Sequence, residues 1–485
     1  MTSALAAGML AAKALAADTL AANIQDSGNS AWLMMAAAMV LLMAPGLAFF
    51  YGGMVKTSQV IAMLKMCFLC LVIVTIIWFS VGYTLAFGTD AGGKGLIGGL
   101  DHLFMSGVGM NSTTDGVPTV IFSVFHMSFA IVTVALISGS VAGRATMKGW
   151  MAFVGAWTLL VYIPMAHWVF SPDGWVSKQV GAVDFSGGTV VELSSGAAGL
   201  ALALVAGKRQ DFERTKIRPH NLPLVVIGLA LLWFGWFGFN TGSSLGTPGA
   251  AAMGVMNTQL AAGAAMAGWA VTVYLRTRKV GLLDMSMGAV TGMVATTPLA
   301  GGVSMMWSVI IGFLAGLTCA FAISWKYRFG VDDTLDVVGI HGWGGLFGMV
   351  MVGLAATGAM TGKKGLLYGG GWDLLGKQLV AVLVLGLFSF GMTALIGKVV
   401  DRTLGLRQRG GTEEHEQVYQ NDWDDQFKEI VDALRGADEP AGRSGPEPDA
   451  SALLDQVRRM LAADPEKARQ TQPGERSEQS PRSKD

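Results

Sequence analysis

The feature that most constrains the fold of this chain is a series of long apolar stretches separated by short polar loops. A window of about 19–20 residues, the length that crosses a bilayer as one helix, selects eleven stretches in the sequence of 485 residues. They lie near residues 31–53, 58–87, 117–142, 147–170, 186–207, 222–245, 249–275, 281–300, 303–326, 336–358 and 376–400. Only 14% of the residues are charged, whereas soluble domains contain about 25%. The sequence therefore predicts an all-α polytopic membrane protein with eleven transmembrane helices.

The lysines and arginines of the connecting loops are distributed unevenly between alternate loops. The richer side holds thirteen of them, namely Lys56, Arg144, Lys148, Lys208, Arg209, Arg214, Lys216, Arg218, Arg276, Arg278, Lys279, Lys326 and Arg328. The other side holds only Lys94, Lys178, Lys363 and Lys364. By the positive-inside rule the richer side is cytoplasmic. We therefore expect a multi-pass protein of the cell inner (cytoplasmic) membrane, with its N-terminus outside and its C-terminus in the cytoplasm.

The sequence predicts three regions along the chain. Residues 1–30 form an alanine-rich N-terminal extension that matches a cleaved signal peptide poorly, although processing of this segment stays open as an alternative. Residues 31–402 form the membrane domain. Residues 403–485 form a cytoplasmic regulatory tail, in which 415–434 and 451–463 have amphipathic helical patterns. The rest of the tail is rich in Pro, Gly, Ser and charge, which is typical of linkers or disorder.

The residues offer no support for catalysis. Cys67, Cys70 and Cys319 all fall within apolar stretches, so we expect them to pack in the core and assign them no redox or metal chemistry. Neither a nucleophile–base set nor a metal-ligand spacing is present in the sequence. We therefore expect a protein that is not an enzyme, has no cofactor and has no nucleic-acid partner.

Two acidic residues fall at or near bilayer depth. Asp184 opens a glycine-rich turn that leads into the fifth stretch, and Glu192 follows two helical turns further in on the same face. A charged group at the centre of a bilayer costs roughly 2.5–3.5 kcal/mol on insertion scales. We therefore expect Glu192 to line a polar path or to pack inside the bundle.

The two halves of the predicted bundle contain similar sequence motifs. PGLAFFYGG in the first stretch resembles GWFGFNTGS in the sixth, and Asp184 with Glu192 in the fifth resembles Asp336 with His341 in the tenth. Both aspartates are expected to cap the helix that follows. Because each unit has an odd number of spans, two units must enter the membrane from opposite sides, which is a transport architecture. The prediction is an inverted five-helix repeat, spans 1–5 and 6–10, with a peripheral eleventh helix.

The stretch DFSGGTVVELSSGAAGLALALVAGKR, residues 184–209, resembles the signature of the ammonium transporter family along its whole length. That family includes methylammonium permeases and, more distantly, Rhesus proteins. PGLAFFYGG, YIPMAHWVF, RPHNLP, WFGFNTGSS, TPLAG and VDDTLDVVGIHGWGG resemble other motifs of the family in the same order. The resemblance covers roughly residues 31–410. It implies a homotrimer whose protomers each contain a narrow pore for ammonium or methylammonium, and a PII-type signal protein that binds at the cytoplasmic face.

The resemblance also implies an outer ammonium site and a gate. The site comprises Phe129, Phe170 and Ser243, with Asp184 beside it, and the gate is a stack of Phe129 and Phe239. Aromatic faces replace part of the hydration shell of a cation, at about 0.5–2 kcal/mol per ring. The structural alternatives are helix packing for Phe129 and Phe239, an interface anchor for Phe170 and a helix cap for Asp184. For Asp184 the cap is favoured.

Three positions depart from the family pattern. Glu192 occupies the place of the first of two pore histidines, the second being His341. Phe170 replaces a tryptophan, which should weaken the outer site modestly because tryptophan binds cations best. His126 replaces a glutamine, and we expect it to be a neutral core histidine that is hydrogen-bonded to a backbone carbonyl, with an additional titratable site residue near the gate as the alternative. Glu192 and His341 are expected to share one proton and to relay it, with a fixed ion pair as the alternative.

The leading hypothesis is an electrogenic ammonium transporter that moves ammonia and a proton inward. The alternative is an ammonium sensor that binds the ion with little conduction, which the changed pore residue and the long tail favour. A passive gas channel of the Rhesus type is disfavoured by the full ammonium transporter signature.

Overall fold

The computed structural model describes residues 26–209, 212, 219–246, 248–359 and 362–408. These residues form a bundle of long helices, as the apolar stretches predict. The two amphipathic segments predicted in the tail, 415–434 and 451–463, lie outside the described residues, as does most of the N-terminal extension.

The long helices correspond to the predicted stretches within a few residues at each end. In chain order they are α1 (Ser27–Met54), α2 (Thr57–Phe87), α3 (Thr119–Val141), α4 (Met147–Phe170), α5 (Gly188–Ala206), α6 (Leu222–Gly242), α7 (Pro248–Thr277), α8 (Leu282–Thr296), α9 (Met305–Phe329), α10 (Val338–Ala355) and α11 (Asp373–Thr403).

Nine helices of the described residues are long and apolar enough to cross a membrane, and these are all of the set except α7 and α8. The helix α8 has only 15 residues before a short 3₁₀ turn. The helix α7 has 30 residues, but Asn257 and Gln259 near its middle lower its mean hydropathy. The all-α membrane architecture is thus present, while the count of eleven spans and the inverted repeat stay predictions.

A short β-hairpin, which the sequence analysis did not predict, lies in the loop between α2 and α3. Its strands, β1 (Thr113–Thr114) and β2 (Val117–Pro118), are antiparallel, with Thr113 opposite Pro118. Asp115 (φ 51°) and Gly116 (φ 78°) connect them with two left-handed residues. An Asp-Gly pair is the typical sequence of such a turn. The hairpin places polar residues over the cavity described below.

Close glycine contacts bring the central helices together. A Cβ atom at Gly196 of α5 would lie 2.1 Å from Cα of Gly342 in α10, so the two backbones touch where these helices cross. A Cβ atom at Gly228 of α6 would lie 2.2 Å from the backbone nitrogen of Phe50 in α1. Small residues permit this spacing in membrane bundles. The α5–α10 crossing fixes the position of the two residues predicted for the middle of the pore.

Both crossing helices begin with a π-helical turn. In α5 this turn covers Gly188–Leu193 and contains Glu192. In α10 it covers Val338–Gly342 and contains His341. Single π-helical turns within α-helices are frequent at functional sites.

Candidate functional site

A cavity of about 580 Å³ opens beside the end of α4 and the start of α5. We call this cavity the vestibule. Its wall includes Phe170, Ser243 and Asp184, three of the residues predicted for the outer site, and also His126. The loop that contains the β-hairpin forms another part of the wall. The structure therefore brings these four predicted residues to one cavity.

Phe129 and Phe239 form the predicted stack at the inner end of the vestibule. Their ring centroids are 4.0 Å apart, their planes differ by 5°, and both side chains are fully buried. Phe170 contacts the edge of Phe129, with a centroid distance of 6.3 Å and an interplanar angle of 85°. The stacked rings leave no open passage between them, so a solute must displace at least one ring to move past.

Ser243 follows the last residue of α6 and presents an acceptor to the vestibule. Its Oγ donates a hydrogen bond to the carbonyl oxygen of Phe239 at 3.2 Å. That bond uses the hydroxyl proton, and the oxygen keeps lone pairs that can accept from a ligand N–H. The donor–acceptor inventory of this residue suits a cation that carries only N–H donors.

A second cavity, which we call the lumen, lies beyond the stack and has a volume of about 10 Å³. Apolar side chains such as Met43, Leu47 and Val132 form most of its wall, together with Phe239. A cavity needs at least about 10–15 Å³ to hold one water molecule. The lumen is thus a narrow apolar space, with room for about one molecule the size of water or ammonia.

Glu192 and His341 meet at the lumen, as predicted. The Nδ1 atom of His341 lies 2.7 Å from Oε2 of Glu192, and the side chains are 5% and 1% exposed. A contact this short between a ring nitrogen and a carboxyl oxygen requires a proton between the two atoms. The pair is therefore a hydrogen-bonded polar feature in an otherwise apolar wall.

Asp184 caps α5, which confirms the favoured interpretation of this residue. Its carboxylate accepts hydrogen bonds from the backbone N–H groups of Gly187 (2.9 Å), Gly188 (2.6 Å) and Thr189 (2.7 Å). The hydroxyl of Thr189 donates a fourth bond at 2.5 Å. Because these donors occupy both carboxylate oxygens, Asp184 contributes mainly its negative charge to the vestibule. Burial raises the pKa of this carboxyl.

The prediction that Asp336 caps α10 is wrong, because Asp333 does so. Its carboxylate accepts from the backbone N–H groups of Val337 (3.1 Å) and Val338 (2.8 Å). Asp336 has a left-handed backbone (φ 63°) and pairs instead with Lys326, at 2.7 Å. The correct register is visible in the spacing: the capping residue precedes the pore residue by eight positions in both α5 and α10.

His126 does not make the backbone hydrogen bond that was expected. Its side chain is 7% exposed and its Nδ1 atom is buried without a hydrogen-bond partner among the described residues. Aromatic rings surround it: the centroid distances are 4.5 Å to Phe122, 4.6 Å to Phe87, 5.3 Å to Phe170 and 5.9 Å to Phe129. The expected carbonyl partner is absent because phenyl rings occupy the space around the imidazole.

Two further aromatic residues support the gate and were missed. The Phe125 ring lies 4.7 Å from Phe129, and the Trp236 ring lies 5.8 Å from Phe239. Nε1 of Trp236 donates to Thr297 Oγ1 at 3.0 Å, which fixes the indole. Both residues lie one helical turn or less before the gate residues, so spacing along α3 and α6 could have indicated them.

Several residues that the sequence analysis used only for topology form a buried charge network in front of the first turn of α10. Arg209 binds Asp332 through two contacts of 2.8 Å, from Nε to Oδ2 and from Nη2 to Oδ1. The Arg144 guanidinium donates to the carbonyl oxygens of Ser140, Gly207 and Asp332. This network joins the ends of α3 and α5 to the loop before α10. The adjacent aspartates of VDDTLD were the signal that could have indicated it.

Fold and site together define a multi-pass helical membrane protein with a pair of stacked phenylalanine rings between a polar vestibule and an apolar lumen. A family model described as Ammonium Transporter Family matches residues 31–422. The chain belongs to the ammonium transporter family, as its motifs predict.

Curated relatives and solved structures agree with this assignment. An ammonium transporter of Bacillus subtilis is 44% identical over 396 residues, covering 81% of this chain and 95% of the relative. One of Mycobacterium tuberculosis is 41% identical over 414 residues, covering 79% and 87%. The crystal structure of Candida albicans Mep2 has a TM-score of 0.75 at 32% identity, covering 79% of this chain and 87% of that one.

Proposed function

We propose that this chain takes up ammonium across the cytoplasmic membrane through one pore in each protomer. Ammonia crosses the lumen while a proton passes separately by way of Glu192 and His341. One observation carries this proposal: the stacked rings of Phe129 and Phe239 lie between the vestibule and an apolar lumen whose wall contains the hydrogen-bonded pair of Glu192 and His341.

The polarity of the lumen supports the separation of ammonia from its proton. An unhydrated ammonium ion in an apolar cavity of about 10 Å³ would lose its water shell with few replacements, at a cost of many kcal/mol. Neutral ammonia avoids most of that cost. Glu192 and His341 can take up the proton that ammonia leaves behind: when Nδ1–H of His341 donates to the Glu192 carboxylate across 2.7 Å, Nε2 of His341 keeps a lone pair that can bind it.

The residues of the vestibule have complementary roles in this proposal. Phe170 and Phe129 offer ring faces and edges to the cation, and Ser243 offers a hydroxyl oxygen. Asp184 adds negative potential without binding the ion directly, since its oxygens are occupied by the cap. The stack of Phe129 and Phe239 opens transiently to admit the substrate.

The assembly and orientation belong to the same proposal. Loop charges support an N-terminus outside and a C-terminus in the cytoplasm of the inner membrane. Family membership supports a homotrimer, methylammonium as a second substrate and a PII-type signal protein at the cytoplasmic face. The equal eight-residue spacing of Asp184 to Glu192 and of Asp333 to His341 supports the inverted repeat within eleven spans.

A sensor function is the second candidate. A solved structure titled Sensor Amt Protein has a TM-score of 0.73 at 29% identity, covering 80% of this chain and 96% of that one. Glu192 at the first pore position is the feature of this chain that could limit conduction. A sensor would bind ammonium in the vestibule and keep the stacked gate closed.

Reconstitution into proteoliposomes separates the two functions. Ammonium and methylammonium pulses on a solid-supported membrane should give inward currents that protein-free vesicles lack. The Glu192→Gln variant, which keeps the shape but not the titrating carboxyl, should lose at least about tenfold in current, as expected for removal of a proton-transfer group. Substrate binding without current or uptake in the unmodified protein would contradict transport and favour the sensor.

A further inference from the structure

We propose that His126 is a specificity-determining residue of the vestibule. Its neutral imidazole accepts a hydrogen bond from an N–H of ammonium or methylammonium held against the gate. The proposal deepens the proposed function, since it names how the vestibule distinguishes this cation from one of similar size without N–H groups.

Position is the first argument. His126 and Phe129 lie three residues apart on α3, and their ring centroids are 5.9 Å apart. The centroid of Phe170, on α4, lies 5.3 Å from the imidazole. The ring of His126 also lines the vestibule, as do Phe170 and Ser243. A cation that contacts Phe170 next to the gate is therefore within reach of the imidazole.

The unused hydrogen-bonding capacity of His126 is the second argument. The side chain is 7% exposed, and Nδ1 has no partner among the described residues. Buried polar atoms in folded proteins nearly always have partners, so an orphan one calls for an explanation. If the ring served only to fill space in the aromatic cluster, its nitrogen atoms would contribute no favourable interaction. The other nitrogen, Nε2, is not one of the buried atoms and has no hydrogen bond among the described residues, so it is the atom that an N–H donor in the vestibule can reach.

The chemistry of the substrate explains the discrimination. A neutral imidazole has one donor and one acceptor nitrogen, whereas ammonium offers four N–H donors and no acceptor. Aromatic faces attract any monovalent cation of suitable size, so Phe170 and Phe129 alone do not reject potassium. Ser243 Oγ and the imidazole together supply two directed acceptors. A potassium ion cannot use the imidazole in this way, because it has no N–H to donate.

Protonation of His126 should remove this selectivity. The imidazolium has no acceptor nitrogen and adds a positive charge beside the cation. The other titratable groups of the described vestibule wall are Asp184 before α5, Tyr83 on α2, and His102 and Asp115 in the loop before α3. Glu192 and His341 lie beyond the gate. Burial among phenyl rings disfavours the charged form of the imidazole, so we expect His126 to remain a neutral acceptor near neutral pH.

Equilibrium binding of labelled methylammonium to the purified protein tests the proposal without requiring transport. We expect His126→Phe, which keeps an aromatic ring, to bind about tenfold more weakly, the loss of one charge-assisted hydrogen bond. Competition by potassium should become correspondingly stronger. His126→Gln keeps an acceptor, so its affinity near neutral pH should stay within about threefold of the original.

The outcomes are distinct for the two proposals. Unchanged affinity and unchanged potassium competition in His126→Phe would overturn the role of His126, even if currents are normal. If that variant does not fold, a fall of about tenfold in the affinity of His126→Gln near neutral pH would overturn it instead, because glutamine keeps an acceptor. An absence of current in the unmodified protein, with binding sensitive to His126, would contradict transport and leave the role of His126 supported.

Discussion

The two π-helical turns that hold the pore pair share one construction in different electrostatic surroundings. Asp184 caps the turn that contains Glu192, and Asp333 caps the turn that contains His341. Among the ion pairs of the described residues none involves Asp184. Lys326, in contrast, donates to the backbone oxygen of Asp333 at 2.9 Å and pairs with a neighbouring carboxylate. One cap has no ion-pair partner in the described part of the chain, and the other lies beside Lys326.

The difference shows how one local structure can have different roles at the two ends of the proposed cation pathway. At the vestibule, the charge of Asp184 is not cancelled by a basic side chain, so its potential can attract a cation. At the other end, Arg209 and Arg144 surround Asp332, the neighbour of the second cap. There the carboxylates serve mainly to hold loops together. The geometry of a cap therefore does not by itself identify a substrate site. The charges of the neighbouring side chains determine whether its carboxylate can attract a cation.

Removal of the vestibule cap should give the largest effect on stability. In Asp184→Ala, three backbone N–H groups and the Thr189 hydroxyl lose their acceptor. We expect the free energy of unfolding to fall by about 2–4 kcal/mol, measured as a lower melting temperature in detergent. Asp184→Asn keeps one acceptor oxygen, so its melting temperature should lie between those of Asp184→Ala and the original protein. A melting temperature of Asp184→Ala equal to that of the original protein would contradict the assignment of this residue as a cap.

The helix crossing beneath both caps should be the next most sensitive feature. Gly196→Ala places a Cβ atom 2.1 Å from Cα of Gly342, which forces α5 and α10 apart. Overpacking of this kind costs about 1–3 kcal/mol, and separation of Glu192 from His341 should also reduce ammonium current. Gly376→Ala on α11 is the matched control, because its Cβ atom would meet nothing within 4 Å. Equal behaviour of the two variants would mean that the crossing tolerates a side chain.

The second cap, Asp333, should give a smaller effect, which appears as a pH dependence of the melting temperature. Burial raises the pKa of Asp333 to about 6, above the value of about 3.9 in an unfolded chain. The folded state therefore binds the proton more tightly, and the stability that this gives is lost as the pH rises from about 4 to about 6. Between about pH 5 and pH 7 the melting temperature of the original protein should fall relative to that of Asp333→Asn. A constant difference between the two would contradict the raised pKa.

Sequence patterns predicted the long-range organisation well because hydropathy and bilayer thickness act on whole helices. The stretches of α4 and α10, and the meeting of Glu192 with His341, follow from composition, motif and spacing. The sequence did not predict which aspartate caps α10, because Asp333 and Asp336 are both acidic and both precede this helix. Only hydrogen-bond geometry separates the cap from the ion-pair partner. The environment of His126 was also unpredictable, because the rings around it come from α2, α3 and α4.

The central claim is that the Glu192–His341 pair conducts the proton during transport, and its most direct test is ammonium current as a function of pH. The original protein and Glu192→His should be compared in the same proteoliposomes, with Glu192→Gln as the variant that lacks a titrating group. We expect a conducting Glu192→His variant whose pH profile is displaced from the original, because two imidazoles titrate differently from a carboxyl–imidazole pair. Superimposable profiles would show that the proton of this pair takes no part in transport.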